Sequence, residues 1–263
     1  MTLSHDVDGA GPAVLLLHSS VCDRRMWDPQ WLTLRDAGYQ VIRCDFRGFG
    51  ETPVPERPDP ERPYSEARDV RDLLDGLGVQ QVAVVAASHG GRVALEVAAR
   101  WPDRVSAMAL LCPGIPGHRP GPELRAFARR EDELIEAGDL AAAVELNVAT
   151  WLGPEADDAT RNRVRDMQRH AFEVQLAATA DVPQLDLGEP DLGQITAPCL
   201  AVSGRHDLPD FRQIAARLPE LLPTARHVEL PWAGHLPSLE RPAEVTALLV
   251  DFLRRPSGLA SAG

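Results

Sequence analysis

Ser88 follows a short apolar run that is predicted to be a buried strand, and two glycines and a helical pattern come after it. A serine at such a turn stands clear of the sheet, and the free N–H groups that start the helix point toward whatever its oxygen attacks. The turn leaves no room for large side chains two residues before and after the serine, where Ala86 and Gly90 stand. The pattern Ala-x-Ser-x-Gly therefore predicts a nucleophile elbow, with a helix-capping serine in a glycine-rich turn as the alternative.

A serine nucleophile needs a base within hydrogen-bond reach, and the base needs a carboxylate that orients it. Among the eight histidines, only His235 lies in a glycine-bearing loop just after the last predicted strand, whereas His227 lies inside that strand. Asp207 follows the preceding strand, and its rival Asp210 is better placed as the N-cap of the next helix. The order Ser88, Asp207, His235 predicts a catalytic triad.

Strand patterns and helical patterns alternate on both sides of Ser88. The predicted strands span residues 13–18, 40–45, 81–87, 105–112, 198–203 and 226–230, and the predicted helices span 30–37, 66–77, 89–101, 210–218 and 242–253. Such alternation predicts an α/β fold with a mostly parallel sheet and helices on both faces. Function is then expected at the carboxyl ends of the strands. The proline-rich residues 53–63 are predicted to form a surface connection.

The strand pattern disappears between residues 115 and 190, where helical stretches at 123–137, 139–151 and 159–178 replace it. An insertion of this length is too long for an ordinary loop, so it is predicted to be a helical cap over the strand ends. The predicted organisation is a core in two parts, 1–114 and 191–255, with a cap between them at 115–190 and a flexible tail at 256–263.

Composition excludes several classes of function. The chain of 263 residues has a formal net charge of −12 and no basic cluster, which argues against nucleic-acid and membrane partners. All 27 basic residues are arginine, so Schiff-base chemistry, pyridoxal-phosphate attachment and a P-loop lysine are excluded. No dinucleotide-binding fingerprint follows a predicted strand. We expect a small-molecule substrate, no metal and no organic cofactor, since the triad chemistry described above requires neither.

The four cysteines are far apart, without a C-x-x-C pair, and are expected to be reduced thiols: Cys22, Cys44, Cys112 and Cys199. The N-terminus shows no secretion signal, and no apolar run reaches membrane-spanning length. A cytoplasmic monomer or homodimer is expected.

Several further patterns carry a family resemblance. They are the end of the first predicted strand at His18, the turn Asp45-x-Arg47-Gly48-x-Gly50, Gly204-x-x-Asp207, and Ala233-Gly234-His235 with Glu240-x-Pro242. Together with the elbow, they make the chain resemble the α/β-hydrolase superfamily over nearly its whole length. The stretch 17–30 is most similar to β-ketoadipate enol-lactonases and to cofactor-free haloperoxidase-like esterases.

The resemblance implies an α/β-hydrolase fold, with the cap inserted after the strand that follows the elbow helix. It also implies an oxyanion hole formed by the backbone N–H groups of Ser20 and His89, and it makes His18 a structural residue. This sequence differs from the usual pattern at Ser19 and Ala86, which both replace glycine. The N-terminus is also short enough for the family's first strand to be absent.

The expected activity is hydrolysis of a small ester or lactone through an acyl-enzyme, with His235 as general base. The expected substrate contacts are Val21, Trp151, Met167 and Leu236, and the cap also offers Phe127 and Phe172. For these aromatic residues, packing within the cap is the alternative role. The His89 imidazole is predicted either to face the pocket or to pack beside the elbow.

Rival functions remain open at this point. Dehalogenases and epoxide hydrolases of this fold use an aspartate nucleophile, which Ser88 excludes. Enol-lactone hydrolysis needs a cation for a carboxylated substrate, for which Arg163, Arg165 or His170 are candidates, although the cap is rich in acidic residues. The enzymatic alternative is a C–C bond hydrolase or lyase that uses the triad as a proton relay. The other alternative is a catalytically silent binding or accessory protein of the same fold.

Overall fold

The computed structural model describes residues 2–54, 64–178, 185 and 187–254. Most of the predicted proline-rich connection at 53–63 and all of the predicted tail at 256–263 lie outside these residues. The division of the chain into core and cap stays a prediction.

Seven strands of the described residues form one sheet in the order β1-β3-β2-β4-β5-β6-β7. Only β1 is antiparallel, pairing with β3, and the other neighbours are parallel. The strands are β1 (His5–Asp8), β2 (Ala13–Leu17), β3 (Gln40–Cys44), β4 (Val82–Ala87), β5 (Val105–Leu111), β6 (Cys199–Gly204) and β7 (Ala225–Leu230).

The centre of the sheet is β4, whose six residues are all buried. Successive side chains of a strand point to opposite faces, so Val84 and Ala86 pack into one core while Val85 and Ala87 pack into the other. In register, Ala86 pairs with Leu17 of β2 and with Leu110 of β5. The carboxyl ends of these three strands therefore lie side by side, and Ser88 follows directly at this edge.

The helices cover both faces of the sheet and fill the segment between β5 and β6. They are α1 (Asp28–Asp36), α2 (Glu66–Gly76), α3 (His89–Arg100), α4 (Pro122–Glu136), α5 (Leu140–Trp151), α6 (Asp158–Leu176), α7 (Pro209–Leu221), α8 (Pro237–Glu240) and α9 (Pro242–Arg254). The first core contains residues of α2, α3 and α7, and the second contains residues of α1, α5, α6 and α9. Helices α4, α5 and α6 lie within the predicted cap segment.

Two details differ from the sequence prediction at α7 and α8. Asp210 is the second residue of α7, and Leu208 is its N-cap, so the predicted N-cap role of Asp210 is wrong. Pro209 takes the first helical position because its fixed backbone angle suits that position and it lacks the N–H that a cap would satisfy. The Asp210 carboxylate instead accepts hydrogen bonds from His118 (2.7 Å) and the Gly121 N–H (2.6 Å). The four-residue α8 had not been predicted.

Within the described ranges, no helix combines the length and the apolar character needed to cross a membrane.

Gly90 allows α3 to approach the end of β2 closely. A Cβ atom at this position would lie 2.7 Å from the carbonyl oxygens of both Leu17 and His18, which are backbone atoms that cannot rotate away. We predict that Gly90→Ala lowers the free energy of unfolding by about 3 kcal/mol because it overpacks this contact. Urea-induced unfolding would measure the change.

Gly76→Ala is the matched control, because a Cβ atom at the end of α2 meets nothing within 4 Å. Alanine favours a helix over glycine by up to about 1 kcal/mol, so this variant should be as stable as the wild type or slightly more stable. Equal destabilisation by the two substitutions would contradict the packing argument.

Candidate active site

Ser88 forms the turn between β4 and α3 with φ 50° and ψ −113°. This left-handed conformation costs free energy in a residue other than glycine, so neighbouring groups must hold it. The Ser88 N–H donates to the carbonyl oxygen of Leu111 (3.0 Å), and its own carbonyl accepts from the Gly114 N–H (2.9 Å). The residue as a whole is 5% exposed. The structure thus has the strand, sharp turn and helix that the sequence pattern predicted.

His235 and Asp207 contact each other, as the sequence analysis expected. The Nδ1 atom of His235 lies 2.7 Å from Oδ2 of Asp207, and both side chains are buried. A carboxylate at this position accepts the Nδ1 proton, which leaves Nε2 as an acceptor. Within the described chain, the Ser88 hydroxyl has no hydrogen-bond partner, and neither has Nε2 of His235.

The loop that carries His235 is held by Glu240, which the sequence offered only as a family landmark. The Glu240 carboxylate accepts hydrogen bonds from the N–H groups of Gly234 (3.0 Å), Leu236 (3.2 Å) and Gly153 (3.1 Å). Burial raises the pKa of Glu240, while these backbone N–H groups oppose that rise. One carboxylate therefore fixes both neighbours of His235 and joins them to the chain that follows α5.

Cys112 is a neighbour of this pair that the sequence gave no reason to select. It directly follows β5 at φ 46°, and it and Ser88 are the two non-glycine residues of the described chain with positive φ. The Cys112 sulfur, a carboxylate oxygen of Asp207 and a ring nitrogen of His235 lie within 4.8 Å of one another. Burial raises the pKa of the Cys112 thiol well above its ordinary value, so the thiol stays protonated and donates to the Gly234 carbonyl (3.6 Å).

The two predicted oxyanion donors lie on adjoining segments. His89 is the first residue of α3, and Ser20 is in the turn after β2. The Gly90 N–H donates to the His18 carbonyl (3.1 Å), which joins these segments. Neither the Ser20 N–H nor the His89 N–H has an acceptor within the residues described. Both amides are therefore available to a bound oxygen.

The His18 side chain is held by backbone atoms. Its Nε2 accepts from the Phe46 N–H (3.0 Å), and its Nδ1 donates to the Ser19 carbonyl (2.8 Å). Burial lowers the pKa of His18, which favours the neutral ring. Asp45 accepts from the N–H groups of Arg24 and Glu51, so it orders the turn that follows β3.

The His89 imidazole packs beside the elbow. Its Nε2 lies 2.7 Å from a carboxylate oxygen of Glu66, which also pairs with Arg92, and its ring meets the Phe46 ring edge-on. Burial alone raises the pKa of Glu66, but the contacts with His89 and Arg92 outweigh it, and the pKa ends below its ordinary value. The alternative in which this imidazole packs beside the elbow is therefore the one observed.

The four predicted substrate contacts are all buried, and they belong to one apolar cluster: Val21, Trp151, Met167 and Leu236. Phe127 borders the same cluster, with its ring 4.8 Å from that of Trp151. Phe172 lies elsewhere, in a separate cluster formed by α4, α5 and α6. The ring of Phe211, at the start of α7, is 4.2 Å from that of His235, and no sequence signal had selected it.

The three candidate cations for a carboxylated substrate have other partners. Arg163 pairs with Asp28 (3.4 Å), Arg165 pairs with Glu145, and His170 contacts the Gly50 carbonyl (3.0 Å).

Comparison with known proteins decides the family. A model described as the alpha/beta hydrolase family matches residues 14–248. The chain belongs to the α/β-hydrolase family. This α/β-hydrolase is 28% identical to 2-hydroxy-6-oxo-6-phenylhexa-2,4-dienoate hydrolase from Comamonas testosteroni, over 94% of its own length and 89% of the relative.

Two solved structures support the same conclusion. The enol-lactonase from Burkholderia xenovorans has a TM-score of 0.76 at 26% identity, covering 96% of each chain. A thermophilic esterase from Thermogutta terrifontis has a TM-score of 0.75 at 26% identity, covering 96% of this chain and 93% of its own. These findings confirm the predicted fold, the hydrolase class and the resemblance to enol-lactonases.

The Glu66 contacts make stability depend on pH. Because the pKa of Glu66 is lower in the folded chain than the unfolded value of about 4.3, its ionised form stabilises the fold above that pH. The contribution is lost as the pH falls through the folded value. We predict that Glu66→Gln lowers the free energy of unfolding by about 2 kcal/mol at pH 7, and that the difference shrinks toward pH 3.

Urea-induced unfolding of both proteins between pH 3 and pH 7 measures this difference. Glu145→Gln is the control, because Glu145 pairs with Arg165 at the surface, where an ion pair contributes little to stability. A Glu66→Gln effect that is the same at every pH would show that the carboxylate charge is not the cause.

Proposed function

We propose that this α/β-hydrolase is a serine hydrolase that cleaves a small ester or lactone through an acyl-enzyme intermediate. The observation that carries the proposal is the buried contact between His235 and Asp207 at the edge of the sheet where Ser88 adopts its strained turn. In this proposal Ser88 is the nucleophile, His235 is the general base, and Asp207 orients the imidazole and stabilises its positive charge.

In the first half of the reaction, Nε2 of His235 takes the Ser88 hydroxyl proton as the serine oxygen bonds to the substrate carbonyl carbon. The carbonyl electron pair moves onto its oxygen, which the N–H groups of Ser20 and His89 would stabilise. Each such donor is typically worth about 3 to 4 kcal/mol. The C–O bond of the ester then breaks, and the imidazolium returns the proton to the leaving alkoxide.

Water completes the reaction by the same steps. His235 removes a proton from the water molecule, whose oxygen attacks the acyl carbon, and the imidazolium then protonates the departing Ser88 oxygen. The products are a carboxylic acid, an alcohol and the original enzyme. A hydrogen bond between serine and base is often long without substrate and shortens in the complex, so the unpartnered Ser88 hydroxyl is consistent with this role.

The surroundings support a small, largely apolar acyl donor. Of the predicted substrate contacts, Val21, Met167 and Leu236 are buried and apolar, and such walls select by shape and exclude water. The candidate cations of the cap are engaged elsewhere, which supports an uncharged ester or lactone over a carboxylated enol-lactone. The named activities of the esterase and enol-lactonase neighbours agree with an acyl substrate.

A C–C bond hydrolase is the second candidate, because the Comamonas testosteroni relative is named as a hydrolase of a dienoate with a 6-oxo-6-phenyl group. That chemistry would use the same three side chains to relay a proton. A panel that contains esters, lactones and β-diketones separates the two candidates.

We predict that the wild type hydrolyses members of an ester and lactone panel that varies acyl length and charge, and that it prefers short uncharged acyl groups. Ser88→Ala should lower kcat by about 10⁶, and Asp207→Asn should lower it by about 10⁴ because the carboxylate no longer fixes the imidazole tautomer. Steady-state kinetics on folded variants provides the measurement.

Ser203→Ala is the matched control. Ser203 also contacts a histidine, with its hydroxyl 2.8 Å from Nε2 of His227, but it is fully buried within β6. This variant should retain wild-type kcat. Activity that survives Ser88→Ala would remove the nucleophile assignment. No turnover of any panel member, combined with no reaction of Ser88 with a fluorophosphonate probe, would instead support a catalytically silent protein.

A further inference from the structure

The end of helix α5 contacts the proposed base through both main chain and side chain. The His235 N–H donates to the carbonyl oxygen of Trp151 (2.9 Å), which is the last residue of α5. The indole and imidazole ring centroids are 4.6 Å apart, with 43° between the ring planes. The main-chain hydrogen bond fixes the backbone of His235, and the ring contact places an electron-rich indole beside the imidazole.

The Trp151 ring is fixed rather than free to follow a substrate. Its side chain is buried, with 5% of the residue exposed, and its Nε1–H donates to Oδ1 of Asn147 (2.8 Å) one turn earlier in α5. The Asn147 amide in turn donates to Glu131 of α4 and to the Ala143 carbonyl (3.0 Å). Hydrogen bonds within the cap helices therefore determine where this ring lies.

Phe211 provides a second aromatic contact to the same imidazole. Its ring is 4.2 Å from that of His235 and 5.7 Å from that of Trp151. The Phe211 and His235 planes make an angle of 62°. His235 is only 1% exposed, so water does not weaken these contacts. A cation beside an aromatic ring in such a desolvated place is stabilised more than a similar cation at the surface.

We propose that Trp151 and Phe211 are positioning residues of the base: they hold the His235 imidazole and stabilise the imidazolium formed when it takes the Ser88 proton. This inference rests on the proposed function, because the imidazolium matters to turnover only in a reaction that uses His235 as base. It assigns Trp151 a different part from the substrate contact expected of it.

The proposal predicts a characteristic kinetic change. Trp151→Leu and Phe211→Leu each remove a ring while keeping an apolar side chain, so the imidazolium loses stabilisation that the neutral ring does not need. We expect kcat to fall about tenfold in each variant. KM should stay within about twofold for every acyl length, because in this proposal the two rings act on the imidazole and not on the acyl group. Trp151→Phe should recover most of the loss.

The pH dependence provides an independent measure. Among the described residues, the titratable groups found close to the imidazole are Asp207, Cys112 and Glu240, and all three remain in these variants. Loss of a ring disfavours the protonated imidazole, so the neutral base persists to lower pH. The acidic limb of the kcat/KM profile should move down by about one pH unit, which corresponds to the tenfold change.

Protein whose histidine side chains carry nitrogen-15 allows the same test without any substrate. Nitrogen chemical shifts of the His235 ring, followed by NMR over pH, should show a titration midpoint about one unit lower in Trp151→Leu and in Phe211→Leu than in the wild type. Phe127→Leu is the matched control. Phe127 packs against Trp151, and no ring contact between Phe127 and His235 is found among the described residues. This variant should titrate like the wild type.

The outcomes separate this inference from the proposed function. If the titration shifts as expected but no ester or lactone is hydrolysed, the ring contacts are supported and the proposed function fails. An unchanged titration overturns the inference even if esters are hydrolysed. A loss that appears in KM and grows with acyl length also overturns it, because Trp151 would then be a wall of the substrate pocket. If Trp151→Leu does not fold, Phe211→Leu on α7 tests the same point.

Discussion

The backbone conformation of Ser88 is the constraint on which the rest of the candidate site depends. A non-glycine residue adopts φ 50° and ψ −113° only when its neighbours impose that conformation. Here the neighbours are the ends of β2 and β5, which bond to both sides of the turn, and Gly90, whose missing side chain lets α3 lie against β2. The sheet thus holds the Ser88 backbone in a strained conformation at the point where α3 begins.

The second element of the site is a loop that the end of α5 and the residues after it help to hold. Glu240 bonds to the N–H groups on both sides of His235 and to Gly153, and the carbonyl of Trp151 accepts from His235 itself. A movement of the end of α5 would therefore move the base as well. These hydrogen bonds explain how His235 stays oriented although it lies in a loop.

Patterns local in sequence predicted most of the fold, because buried strands and amphipathic helices carry their own periodicity. Strand β1 was missed because its sequence, His-Asp-Val-Asp, is polar, and this edge strand is held by backbone pairing with β3. At the site, the sequence predicted the contact between Asp207 and His235 from the loop positions of both residues. It did not reveal Cys112, Phe211 or the contacts of Glu240, because these are made between segments remote in sequence and only the folded chain brings them together.

The most direct measurement is a crystal structure of the enzyme inhibited by a small alkyl phosphonate. We predict a covalent bond from phosphorus to the Ser88 oxygen. The phosphoryl oxygen should lie about 2.7 to 3.1 Å from the backbone nitrogens of Ser20 and His89. We also predict Nε2 of His235 within about 3 Å of the serine oxygen. An unmodified Ser88, or an adduct whose phosphoryl oxygen faces solvent while the imidazole stays remote, would contradict the proposed mechanism.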